Sequence, residues 1–213
     1  MEFLPEKIED YVENHTEKES DGLAKLSRDT HLKILSPRML SGHVQGRFLA
    51  MISHMMQPKR VLEIGTYTGY SAMCLAEGMP EDGKIITIDR NNELEDIINT
   101  HLKQSEYAPK IDVRFGYAAE IIPTLDETFD LVFIDADKPN YSNYFDLIID
   151  KVRQGGFILA DNVLWSGKVV ETIKPGDKST VAIHHFNQKV HDDPRVENVL
   201  IPIRDGIMAL RKK

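Results

Sequence analysis

Residues 61–72 read VLEIGTYTGYSA, and the fold class turns on them. Val61, Leu62 and Ile64 make a short apolar run of strand type. Gly65 and Gly69 then bracket a loop, and a helical pattern starts near residue 70. Glycines allow a tight turn and close approach of backbone to a ligand. Strand, glycine loop and helix in this order open an α/β sheet whose ligands lie beyond the carboxyl ends of its strands.

The rest of the chain repeats the unit. Strand-like runs fall at 60–64, 84–88, 111–115, 129–134 and 156–160, with helical stretches at 70–79, 92–106, 118–125 and 141–153. Runs that are apolar throughout and alternate with helices imply a parallel sheet covered on both faces. Gly155 and Gly156 stand at the opening of the fifth run. The closing stretch, VENVLIPIRDGIMALRKK (196–213), holds two runs split by Asp205-Gly206, a hairpin signal and so an antiparallel edge. Before residue 58 the stretches 4–15, 22–35 and 42–56 all carry apolar residues at helical spacing. One domain is expected over 1–213, with a helical extension (1–58) on an α/β core (59–213).

The formal net charge of −8 argues against nonspecific affinity for nucleic acid or anionic membrane. Cys74 is the sole cysteine, which excludes an intrachain disulfide and fits a reducing compartment. Its simplest role is a small apolar side chain on a packed helix. MEFLPEKIEDYVE, the amino terminus, is acidic and lacks the basic and apolar segments of a secretory signal. No apolar run approaches the ~20 residues that span a bilayer. The expectation is a cytoplasmic protein without a membrane partner.

The glycine loop has Gly-x-x-x-Gly spacing, unlike the Gly-x-Gly-x-x-Gly of dinucleotide sites. Glu63 precedes it, where a carboxylate repels a pyrophosphate but suits a cation. Asp89 ends the second strand at the spacing of an acid that holds a ribose diol. S-adenosylmethionine, a cationic nucleoside without phosphate, satisfies both acids. The alternative for Glu63 is a surface carboxylate at a strand end, and a nicotinamide-dependent oxidoreductase is the rival function.

Two further strand ends are rich in oxygen. FIDADKPNY (133–141) places Asp135 after the fourth strand, and ADNVLWSG (160–167) places Asp161 and Asn162 after the fifth. If these strands are neighbours, two carboxylates and an amide converge. Such a donor set suits a hard cation, Mg²⁺ first, with Mn²⁺ or Ca²⁺ as alternatives. Read alone, Asp161-Asn162 is a turn. Lys138, three residues beyond Asp135, would stand near the cation and serve as a base; otherwise it is a solvated surface charge. His184-His185 read as a solvated helix face. Trp165 either walls an acceptor pocket or packs its loop.

With these residues assembled, the sequence closely resembles the cation-dependent, S-adenosylmethionine-dependent O-methyltransferases, which include catechol and caffeoyl-CoA enzymes. The motifs VLEIGTYTGYSA, ITIDRN, FIDADK, ADNVLWSGKV and PIRDGI stand in that family's order, from about residue 20 to the end. The resemblance implies a class I methyltransferase (Rossmann-like) fold: a seven-stranded, mostly parallel sheet with an antiparallel last strand and helices on both faces. It implies that Met39, Ser41, Glu63, Gly65, Tyr67 and Ser71 hold the amino acid end of the cofactor. Asp89 would take the ribose, Arg90 and Ala118 would flank the adenine, and Asp135 would lie near the methionine part. Asp135, Asp161 and Asn162 would hold the metal, with Lys138 and Asp135 as the catalytic pair. The implied acceptor is a small phenolic, catechol-like molecule. A hydroxylated tRNA base is the alternative acceptor, and a homodimer the implied assembly. Ala136 and Asp137 follow the strand-four aspartate as in the caffeoyl-CoA and bacterial branches, in place of the bulky residues of catechol enzymes.

Overall fold

A computed structural model describes residues 5–213. Residues 1–4, which belong to the expected extension and the last of which opens the first expected helical stretch, lie outside the described residues. Seven strands form one sheet: β1 (Arg60–Ile64), β2 (Lys84–Asp89), β3 (Ile111–Phe115), β4 (Phe129–Ile134), β5 (Val152–Asp161), β6 (Val196–Ile201) and β7 (Ile207–Lys212). Their order is β3-β2-β1-β4-β5-β7-β6. β4 runs parallel to β1 and to β5, β2 parallel to β3, and β7 antiparallel to both β5 and β6. The reversed last strand is therefore present, and the Asp205-Gly206 turn provides it.

Eight α-helices accompany the strands among the described residues: α1 (Glu6–Asn14), α2 (Asp21–Lys33), α3 (Gly42–Met56), α4 (Tyr70–Glu77), α5 (Glu95–Leu102), α6 (Ala118–Ile121), α7 (Tyr141–Ile148) and α8 (Lys178–Asp192). None is long and apolar enough to cross a membrane. The described chain groups into two compact units. One comprises residues 60–65 and 117–213, the other 5–59 and 66–116.

In the unit that holds β1, β4 and β5, the central strands are buried on both faces. Leu131, Val132, Phe133 and Ile134 have no measurable exposure. Burying a Leu, Ile or Phe side chain is worth about 1.5–3 kcal/mol, so these continuous apolar runs hold the strand in the core. β5 begins at Val152, four residues earlier than expected, and takes over the end of the helix read at 141–153. Gly155, at φ +72°, supplies an irregularity, and the β4–β5 register shifts between Phe129 and Leu131. An alanine Cβ at Gly156 would lie 3.0 Å from the Asp130 carbonyl oxygen. The two glycines are thus the bend of a longer strand, with Arg153 and Gln154 exposed before it.

In the other unit, α4 is buried from Tyr70 to Ala76, including Cys74. Burial pushes its thiol far above the usual range, so the packed reading of this cysteine holds. Arg47 forms a two-pronged ion pair with Glu77 that ties α3 to α4. The expected helices at 92–106 and 118–125 are shorter than their patterns: α5 follows a 3₁₀ turn at Asn92–Leu94, and α6 yields to one at Ile122–Thr124. Pro123, inside that second turn, has no N–H with which to continue an α-helix.

Candidate functional site

The oxygen-rich strand ends lie in the first unit. The pairing Ile134↔Ala160 aligns the ends of β4 and β5, so Asp135 and Asp161 follow at adjacent strand termini. Asp161 is 2% exposed, which is burial no exposed turn would have. Its Oδ1 accepts the Asn162 N–H at 2.7 Å. Asn162 has φ +59°, a left-handed conformation that asparagine tolerates better than other side-chain-bearing residues. Its amide oxygen faces the turn after β4, where it meets Lys138.

Lys138 is 8% exposed, so it is not a solvated surface charge. It opens a short 3₁₀ turn, Lys138–Asn140, with Pro139 pre-setting the backbone. Asp137 grips that turn from outside: it accepts the Tyr144 hydroxyl at 2.6 Å and a hydrogen bond from the Asn140 amide. Lys138 Nζ donates to Asp135 Oδ1 (3.1 Å), Asn162 Oδ1 (2.7 Å) and Tyr141 Oη (2.7 Å). An ammonium has three donors, and here each finds an acceptor. Tyr141 Oη in turn donates to the Asp161 carbonyl at 2.9 Å. Burial, and then the carboxylates of Asp135 and Asp161, push the Tyr141 phenol well above its usual range, so it stays a neutral donor. The Trp165 ring centroid lies 5.9 Å from Lys138 Nζ. Trp165 and Ser166 both have positive φ, and the Ser166 N–H is held by Asp205 Oδ1 at 2.5 Å.

A hard cation fits these residues. Two of the three expected donors, Asp135 and Asn162, already share the charge of one ammonium nitrogen, and Asp161 adjoins them. Among the described residues no group of three His, Cys, Asp or Glu side chains could hold a metal. The residues that could hold a cation here are the two carboxylates and the amide, oxygen donors of the kind Mg²⁺ or a similar ion takes. His184 and His185 are exposed on α8, with His185 Nδ1 3.2 Å from Ser142 Oγ, in keeping with a helix surface.

Glu63 and Gly65 belong to the same unit. Glu63 is fully buried within β1, which rules out the surface-carboxylate reading. Gly65 has φ +107°, and a Cβ there would fall 1.8 Å from the Asp135 carbonyl oxygen. No other residue lets the chain pass so near β4. Ala118 opens α6 and is buried.

The second unit carries the remaining expected cofactor residues. Asp89 ends β2 and fixes the loop after Gly65: its Oδ2 accepts the Tyr67 N–H at 2.7 Å and its Oδ1 the Asn91 N–H at 2.8 Å. Thr66 and Thr87 join through their hydroxyls at 2.6 Å, and Thr30 donates to Thr68 at 3.2 Å. The Tyr67 hydroxyl donates to the carbonyls of Leu35 and Ser36 at 3.4 and 3.3 Å. Ser41 and Ser71 are buried near the starts of α3 and α4, whereas Met39 and Arg90 are exposed.

Two groupings result. Asp135, Lys138, Asp161 and Asn162 are brought together in one unit, and Tyr67 and Asp89 in the other. Sequence reasoning missed Tyr141 and the Asp137–Tyr144 grip. The available signal was a hydroxyl three residues after a lysine, in KPNY, which otherwise reads only as the start of a helix.

The family model described as O-methyltransferase matches residues 13–213. Caffeoyl-CoA O-methyltransferase 1 of Arabidopsis thaliana is 38% identical over 182 residues, covering 79% of this chain and 69% of the relative. Among solved structures, the SAH-bound Podospora anserina methyltransferase PaMTH1 superposes with a TM-score of 0.90 at 26% identity, covering 100% of this chain and 99% of that one. The O-methyltransferase TomG of Streptomyces achromogenes, in complex with SAM, gives 0.89 at 27% identity, covering 97% and 96%.

Proposed function

Since this chain belongs to the O-methyltransferase family, we propose that it transfers the methyl group of S-adenosylmethionine to a hydroxyl of a metal-chelating, catechol-like acceptor, with Lys138 as general base. The observation that carries this reading is the burial of Lys138 against Asp135 and Asn162. A lysine sequestered among these oxygens supports a role in proton transfer over one in solubility.

In this proposal Glu63 offsets the positive charge of the cofactor, Gly65 admits its backbone approach, and Asp89 takes the ribose diol. Met39, Ser41, Tyr67 and Ser71 complete the methionine end, and Arg90 and Ala118 flank the adenine. Asp135, Asp161 and Asn162 hold a divalent cation, Mg²⁺ first and Mn²⁺ or Ca²⁺ as alternatives. Such an ion, when bound, lowers the pKa of a hydroxyl that coordinates it, which matters because a free phenol has a pKa of about 10.

The acceptor oxygen attacks the sulfonium methyl in line; a carbon–oxygen bond forms, a carbon–sulfur bond breaks, and neutral thioether leaves. Lys138 takes the proton from the acceptor once its ammonium has given up a proton of its own. Asp135 orients that nitrogen through Oδ1, and Trp165 excludes water from one side. Holding both substrates in register contributes up to about 7–11 kcal/mol of the barrier reduction.

One domain, a cytoplasmic setting and a homodimer belong to the same proposal. The match over 13–213 supports the first and the sole, buried cysteine the second.

Titration calorimetry and a labelled-cofactor screen test the reading. S-adenosylmethionine should bind, Glu63→Ala should weaken it, and methyl should pass to a catechol or a hydroxycinnamoyl-CoA ester. Transfer to hydroxylated tRNA alone would replace the acceptor class. Tight NAD binding without S-adenosylmethionine binding would overturn the proposal.

A further inference from the structure

We infer that Tyr141 is a positioning residue for Lys138, its buried phenol fixing the lysine nitrogen in place; this rests on Lys138 being the general base. A lysine side chain loses up to about 1.5–2 kcal/mol of rotamer freedom when immobilised, so something must hold it. Two of its three acceptors, Asp135 Oδ1 and Asn162 Oδ1, are also the donors proposed for a divalent cation. Their lone pairs are contested. Tyr141 Oη, 2.7 Å from Nζ, is the acceptor that such a cation does not compete for.

The phenol is itself immobile. Its one hydrogen goes to the Asp161 carbonyl at 2.9 Å, which leaves its lone pairs for the lysine. Its ring is fully buried and meets Phe186 of α8 edge-on, with centroids 5.4 Å apart and planes at 86°. Lys138 and Tyr141 are three residues apart, across one tight turn, so their side chains leave the backbone on the same side. Tyr144 and Asn140 hold Asp137 on the other flank of that turn. The backbone of Lys138 is thus fixed from one side and its nitrogen from the other. A base displaced by about 1 Å can lose on the order of 10²-fold in rate.

A hydroxyl that merely satisfied the Asp161 carbonyl would serve the fold and nothing else. The two roles separate in a double-mutant cycle on kcat with Tyr141→Phe and Lys138→Ala. Tyr141→Phe keeps the ring and its contact with Phe186 and removes one oxygen. It should lower kcat about tenfold or more, leave the calorimetric Kd for S-adenosylmethionine within about twofold, and reduce Tm by a few degrees. Lys138→Ala should lower kcat by about 10² to 10⁴. In that background the phenylalanine change should cost less than about twofold more, because the hydroxyl has no nitrogen left to position. An unchanged kcat in Tyr141→Phe, with Lys138→Ala impaired, overturns the positioning role and spares the base. Equal losses in both backgrounds also overturn it, since the hydroxyl would then act through the fold. Undiminished turnover in Lys138→Ala removes the base itself and this inference with it.

Discussion

Lys138 Nζ donates to Asn162 Oδ1 at 2.7 Å across 24 residues of sequence. The end of β5 and the turn after β4 thereby hold a single positive charge between them. A divalent cation and an ammonium both compete for such oxygens, so the chemistry of this cluster is open to direct test.

Activity towards a vicinal diol should vanish in EDTA and return with Mg²⁺ or Mn²⁺. Asp161→Ala should reproduce the EDTA result, because it removes a charged donor from a set of three. Asn162→Ala should be milder, since water can replace a neutral donor. Neither should move the Kd for S-adenosylmethionine by more than a few fold. Full turnover of Asp161→Ala in EDTA would refute the metal requirement.

Gly65→Ala should destabilise the protein strongly. Its Cβ would enter the Asp135 carbonyl, a backbone atom that cannot swing aside, at a φ of +107°. Left-handed strain costs about 1–2 kcal/mol and overpacking typically 1–3 kcal/mol more, a Tm loss on the order of 10 °C for a chain of this size. Gly176→Ala supplies the contrast. It has φ +88° but nothing within 4 Å of its Cβ, so strain alone operates and the loss should be smaller. Equal melting temperatures for the two variants would contradict the packing argument.

His101 provides a pH dependence. It is 4% exposed, with Nε2 3.0 Å from Asp29 Oδ2. Burial holds its pKa below the ordinary value and outweighs the pull of Asp29. The folded state therefore binds this proton less readily than the unfolded state, where the pKa is about 6.5. Stability from this group is complete above that pH and declines as the pH falls below it. Asp29 is also held low, by Lys33 first, so its contribution is lost on acidification too, at lower pH. Melting followed from pH 7.5 to 5.5 should show a falling Tm, with a flatter slope in His101→Gln. The same slope in that variant would assign the effect elsewhere.

Much of the architecture was legible because local pattern carries it. Short apolar runs such as FDLVFI, alternating with helical stretches, read as strands buried on both faces, and Asp205-Gly206 announces the reversed strand. The boundaries that failed did so for identifiable reasons. Gly155 and Gly156 read as the opening of the fifth strand, yet a glycine bend can lie inside a strand whose first residues are exposed. Pro123 sat inside a helical pattern that it cut short. Lys138 carried two opposed readings, since burial is not written in a lysine.

Local sequence fixed the residue types at each strand end and the order of the motifs, because side-chain periodicity and turn chemistry act over a few residues. It left open whether Asp135 and the Asp161–Asn162 pair ever meet. That depends on β4 pairing with β5, a contact between segments separated by a helix and settled by the packing of both faces. Nor could the chain announce that Tyr141 would meet Lys138 and the Asp161 carbonyl at once. A hydrogen bond needs angstrom placement, and that comes from the folded backbone and from the buried ring of Phe186, far away in sequence.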